Sequence, residues 1–315
     1  LDGISTAVEP TAGISNAVNL IPIRAGRIAR SNRCVISLGI GKKTYRDCLN
    51  RLQESLRRTR FDGDFLFWDE RFPDGAPSHF EAPFAFKVYC FFAARDLGYE
   101  EILWMDSVCV ALRPLAPVFD LIQAKGYVMF NNNYGQMMGQ WSSDEALVAN
   151  GLTRDEAMLI PETPCSVLGL DLRSPLANQF LDGWNQIMSD GVTARGTREP
   201  VDNLEDYMAI FWNKNQRISS DPRVRGHRCD QPAAGIVAHR LGMTPYSDLL
   251  RDIHYNGTKI NRQTAILHHR EFGDEITSLD DIYYHVFFRM PLIEPLQKNV
   301  YKVARKLKRL SLGSP

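Results

Sequence analysis

Apolar positions along this chain switch between two spacings, and the switches mark its elements. Val35-Ile36-Ser37-Leu38 is a short apolar run that breaks at Gly39-Ile40-Gly41. Tyr45, Cys48, Leu49, Leu52 and Leu56 then recur at intervals of three and four, one face of a helix. Phe65-Leu66-Phe67-Trp68 is a second run, stopping at Asp69. Strand, helix and strand in that order predict a parallel sheet. A Pro/Gly/Ser loop from Gly75 to His79 leads into an apolar helix over about Phe84 to Leu97, which Gly98 suits as a terminator. Ile102 to Met105 reads as a buried strand ending at Asp106, and Val108 to Leu112 continues extended.

Beyond Pro114 and Pro117 the pattern predicts a helix ending near Gly126, then a strand Tyr127 to Phe130 opening into the polar loop Asn131 to Asn133. Gly135 to Pro164 reads as loop and helix, with a helix start at Trp141-Ser142-Ser143-Asp144. Val167 to Leu170 is a strand, and Leu176, Phe180, Leu181, Trp184 and Ile187 line the helix after it. Gly191 to Asn203 is expected to be a mobile loop. Helices follow over about Leu204 to Trp212 and Pro232 to Leu241, and Ala265 to Leu267 is a late strand running into His268-His269.

The two ends differ in kind. Residues 1–32 are poor in aromatics and contain a short echo, Gly3 to Val8 against Gly13 to Val18; two copies are too few for a solenoid. They are expected to form an N-terminal arm, before a single domain over 33–290. From 291 to 315, Ile293, Leu296, Val300, Val303, Leu307 and Leu310 alternate with lysines and arginines, a basic amphipathic helix suited to a membrane surface.

Length and charge narrow the function. The 315 residues, 44% hydrophobic, suffice for one large α/β domain. Lys+Arg and Asp+Glu balance at 37 each, so no global field points to nucleic acid, and charged sites must be local. No apolar stretch approaches the roughly 20 residues of a membrane span. Six scattered cysteines without a C-x-x-C pair read as reduced core residues, which suits a cytoplasmic protein.

Ligands of open parallel sheets gather beyond the carboxyl ends of the strands. Asp69, Asp106, Asn131 and Asp171 each end a predicted strand. A carboxylate at Asp106 is placed to hold a divalent cation bridging a diphosphate, or simply to cap a turn. Gly39-Ile40-Gly41-Lys42 lacks Walker spacing, and no dinucleotide fingerprint is present. Asp230, before Gln231 and Pro232, suits a helix N-terminus as well as a site.

The blocks Phe86-Lys87, Leu97-Gly98-Tyr99, Ile102 to Ser107, Arg113-Pro114-Leu115, Gly169-Leu170-Asp171 and Asp230-Gln231 resemble, in their order, the GT-A glycosyltransferases. The resemblance spans about Val35 to His269 and implies a three-layer α/β/α sandwich with a mostly parallel central sheet. It also implies transfer of a sugar from a nucleotide-diphosphate donor to a hydroxyl of a glycan or glycolipid. Gly39, Gly41, Lys87, Asp106 and Ser107 would bind the donor, Asp171, Gln231 and Trp141 the acceptor, and Asp230 would deprotonate or orient the acceptor hydroxyl. The second aspartate of the family's Asp-x-Asp motif is here Val108. Either Mn or Mg sits on Asp106 with a histidine, His268 or alternatively His254, or Lys87 and arginines neutralise the diphosphate without metal. A catalytically silent binding protein and a nucleotidyltransferase-like enzyme are the alternatives.

Overall fold

The computed structural model describes residues 19–22, 31–130, 135–245, 253–255 and 265–268. Its strands are β1 (Asn19–Pro22), β2 (Arg33–Leu38), β3 (Asp64–Trp68), β4 (Glu101–Met105), β5 (Cys109–Ala111), β6 (Tyr127–Val128), β7 (Val167–Asp171), β8 (Ile253–Tyr255) and β9 (Ile266–His268). The helices are α1 (Lys43–Arg58), α2 (Phe86–Asp96), α3 (Ala116–Lys125), α4 (Asp144–Ala149), α5 (Arg154–Ala157), α6 (Pro175–Met188), α7 (Leu204–Phe211) and α8 (Asp230–Arg240).

A six-stranded sheet in the order β1-β3-β2-β4-β7-β6 forms the middle layer. β2 pairs in parallel with both β3 and β4, while β7 runs antiparallel to β4 and to β6. Four of the six strands, β2, β3, β4 and β6, therefore share one direction. Successive strand residues face opposite sides, and here both sides are apolar. Ile36, Leu66, Trp104 and Leu168 join α2, α6 and α8 in one buried cluster. Val35, Phe65, Leu103 and Val167 join α1 and α3 in another. The α/β/α sandwich that the family resemblance implied is the observed one, and the apolar runs suit it, because a strand buried on both faces has no polar side to offer water. Gly169 lets α3 lie close on the sheet: a Cβ there would overlap Ile122.

Several expectations are corrected. Asn19–Pro22, inside the predicted arm, pairs antiparallel with β3 as the edge of the sheet; four residues with one apolar pair are too short to show a period. Gly191 to Asn203, expected to be mobile, is packed, with Thr193 fully buried and Val192, Ala194 and Val201 nearly so. Val108 to Leu112 leaves the main sheet, and β5 joins a second sheet, β5-β9-β8. Residues 1–18 and 23–30 of the arm, the loop Asn131 to Asn133 and the basic segment 291–315 lie outside the described residues. All six cysteines are free and buried, as expected. Among the described residues no helix is long and apolar enough to cross a membrane.

Candidate functional site

β2, β3 and β4 end together, with Leu38 opposite Trp68 and Ile36 opposite Trp104. Gly39, Asp69 and Asp106 thus emerge on one edge of the sheet. α2 covers that edge, and its first turn carries Lys87, whose ammonium is the centre of the site. Lys87 Nζ donates to Asp230 Oδ2 at 2.8 Å and to the Cys165 carbonyl at 2.9 Å, and lies 3.3 Å from Asp106 Oδ1. Trp104 Nε1 donates to the same Asp106 Oδ1 at 2.8 Å, two residues along one strand face. The other oxygen, Oδ2, lies 3.7 Å from His268 Nε2.

The side chains of Lys87 and Asp230 are only 5% and 3% exposed, whereas that of Asp106 is 19% exposed. Burial by itself would depress the Lys87 pKa, but the Asp106 and Asp230 carboxylates outweigh it and hold the ammonium charged well above its ordinary range. Burial pushes the Asp230 carboxyl up, and Lys87 opposes that rise without cancelling it. Burial also lifts the Cys165 thiol far above its usual value, with Asp230 adding to it. One fixed cation between two carboxylates therefore defines the floor, and Asp106 is the member that meets solvent.

Asp230 opens α8 after a constrained approach. Cys229 sits at φ 56°, ψ −97°, a conformation that costs of order 1–3 kcal/mol in a non-glycine residue unless its surroundings hold it. The preceding residues supply that hold. His227 is fully buried; its Nδ1 accepts from Ser143 N at 3.2 Å and its Nε2 donates to the Thr193 carbonyl at 2.7 Å. Burial lowers its pKa to about 4, so the ring is neutral. Arg228 donates to Glu162 at 2.6 Å and to Gln136 at 2.9 Å, and its guanidinium stacks 3.6 Å from the centre of the Trp141 ring. Gln231, in the first turn of α8, has its Oε1 buried without a hydrogen-bond partner among the described residues.

No protein-family model matches the chain, and no curated protein matches its sequence. Its structure is similar to those of solved glycosyltransferases. Mouse xyloside xylosyltransferase 1 is 12% identical over 78% of this chain and 99% of its own, with a TM-score of 0.41. The bifunctional glycosyltransferase WbbM is 10% identical over 88% of this chain and 52% of its own, at 0.42. The galactosyltransferase LgtC, solved with donor and acceptor sugar analogues, is 10% identical over 84% and 99%, at 0.36.

Lys87, Asp106, Asp230 and His268 are brought together, and Ser107 is buried in the turn after Asp106. Gly39 is on the same edge, where a Cβ would meet the Tyr45 carbonyl at 2.7 Å, and Gly41 adopts φ 95°, which favours glycine. Trp141 belongs to the Arg228 cluster rather than to an open loop, and is 5% exposed. His254 occurs in β8, whose register sets Tyr255, not His254, opposite His268. Asp171 is not at this edge. β7 is antiparallel, so its last residue pairs with Glu101, the first of β4, and bonds Arg173 at 2.8 Å. Its expected acceptor role is corrected on that ground, because strand direction cannot be read from an apolar run. The Cys165 carbonyl, the Trp104 indole and the Arg228–Glu162 pair carried no sequence signal. Lys87 is named through the family resemblance; a signal is also there to be used, since it is the lone cation amid Phe86, Val88, Cys90, Phe91 and Phe92.

Proposed function

We propose that this chain is a glycosyltransferase that moves a sugar from a nucleotide-diphosphate donor to a hydroxyl of a glycan or glycolipid. The observation carrying this reading is the buried Lys87 ammonium between Asp106 and Asp230, with His268 beside the one carboxylate that reaches solvent. Such a fixed charge array costs little reorganisation when a diphosphate leaves, which is how preorganised sites stabilise developing charge. Asp106 and Ser107, with Gly39 and Gly41 leaving room for the backbone to approach, would face the donor. Asp230, buried against Lys87, orients rather than abstracts: it fixes the ammonium and begins the helix that presents Gln231 to an acceptor hydroxyl.

A divalent cation would be held by Asp106 Oδ2 and His268 Nε2. Their separation of 3.7 Å suits two ligands of one ion, since ligands at roughly 2.1 Å from an ion lie at most about 4.2 Å apart. That ion would offset charge on the diphosphate. Among the described residues no group of three His, Cys, Asp or Glu gathers, so further ligands would come from the diphosphate and water. The same proposal includes contact of residues 291–315 with anionic membrane surface in the cytoplasm, which vesicle flotation of the chain with and without that segment would test.

Turnover of a panel of nucleotide-diphosphate sugars tests the reading. Asp106→Asn, which keeps the acceptor oxygen for Trp104, is expected to lose about 100-fold or more in kcat/KM. Full activity in both Asp106→Asn and Asp230→Asn refutes it. Val108, in place of a second carboxylate, favours one other reading, a silent nucleotide- or glycan-binding protein; calorimetric binding without transfer or donor hydrolysis would select that.

A further inference from the structure

The second sheet supplies His268, and β5 is its strand that meets the main sheet: Cys109 Sγ donates to the carbonyl of Ser166, the residue before β7, at 3.8 Å. β5 pairs with β9 and β9 with β8, and Cys109 stands opposite His268. Its height relative to Asp106 is set from two directions. One is the short turn in which Cys109 N donates to the Asp106 carbonyl at 2.8 Å. The other is α1, which packs across β5.

The face that α1 buries is apolar apart from Arg51 and Ser55. Both point at β5. Arg51, 4% exposed, donates through Nη2 to the Val108 carbonyl at 3.1 Å. Ser55, fully buried, accepts from Ala111 N at 2.9 Å and donates to the Leu52 carbonyl at 2.7 Å. The two contacts fall one turn apart on the helix and grip β5 just before its start and at its end. A guanidinium is a costly way to fill a buried helix face, since an apolar residue would pack there without desolvating a charge. What an apolar residue would not do is fix the strand along its own axis.

We propose that Arg51, seconded by Ser55, is a positioning residue for the Asp106–His268 pair. By clamping β5 to α1 it fixes the register of β9, and thereby the distance between His268 and the carboxylate that meets the ligand. A slip of one residue in the β5–β9 pairing would turn His268 to the opposite face of the sheet. The functional consequence rests on the glycosyltransferase reading; the mechanical one does not.

Hydrogen exchange of the full chain, followed by mass spectrometry, tests the clamp directly. In Arg51→Met, amides of Ile266 to His268 are expected to exchange about 10- to 100-fold faster, as for loss of the charge-assisted hydrogen bond to the Val108 carbonyl, with β2, β3 and β4 unchanged. Arg51→Lys, which keeps a donor and a charge, should recover most of the protection, and Ser55→Ala should reproduce a smaller loss. In the donor-turnover assay, Arg51→Met should lower kcat about 10-fold with KM for donor within about two-fold, as when geometry at the reacting centre is lost. Unchanged exchange at β9, or loosening spread equally over the main sheet, overturns the clamp. Loosened β9 with unchanged kcat overturns its role in positioning. If the wild type has no turnover, the functional reading fails while exchange still decides the clamp.

Discussion

Replacing Lys87 by Met tests the centre of the site with little change in volume. The substitution removes a charge that bonds Asp230 at 2.8 Å and the Cys165 carbonyl at 2.9 Å and lies 3.3 Å from Asp106. It leaves two carboxylates facing one another, one of them 3% exposed. Breaking a buried pair by deleting one partner costs about 3–5 kcal/mol. For a domain of this size that corresponds to a fall in Tm of about 5–9 °C. The pH dependence gives the sharper criterion. Burial already raises the Asp230 pKa, and Lys87 is the group opposing the rise. With Lys87 gone that pKa climbs further. A carboxyl whose folded pKa lies above its unfolded one favours folding at low pH, and the benefit is lost as pH rises through the folded value. The deficit of Lys87→Met should therefore be largest near neutrality and shrink toward the carboxylate range. Urea unfolding of both proteins across this span measures it, and Lys87→Met/Asp230→Asn should recover part of the loss. A deficit below about 1 kcal/mol, inside the range of an exposed pair, or one that does not vary with pH, would refute the reasoning.

Other outcomes follow from the same geometry. Burial lowers the His227 pKa from 6.5 to about 4, so its contribution is complete above 6.5 and is lost as pH falls toward 4. The loss is about 3 kcal/mol at 1.36 kcal/mol per unit, and His227→Gln should flatten the stability–pH slope in that window. Gly39→Ala forces a Cβ against backbone and Leu49 and should destabilise by about 1–3 kcal/mol, read from the denaturation midpoint. Gln231→Ala removes a side-chain oxygen that has no partner among the described residues. It should change the unfolding free energy by no more than about 1 kcal/mol, since no hydrogen bond to that oxygen is lost, while raising KM for acceptor. A large stability loss there would assign Gln231 to the fold rather than to the site.

The sequence by itself determined the layers. Strands such as Ile102 to Met105, apolar on both sides, can only lie between two helical layers, and Tyr45 to Leu56 has the period of one such helix. It also marked Asp106, a carboxylate at the end of an apolar run, and the resemblance to GT-A glycosyltransferases pointed to Lys87 and Asp230. Only the tertiary structure decided that these three meet. Lys87 and Asp230 are 143 residues apart, and nothing local in either segment encodes the other. The direction of β7, which carries Asp171 to the far edge, and the place of Asn19–Pro22 in the sheet were likewise settled by pairing. Hydrophobic pattern reports how much of a strand is buried, and it has no memory of which way the chain runs or which neighbour it bonds. The charge centre arises from that second kind of information: three side chains from separate segments become a site when the fold sets one ammonium between two carboxylates.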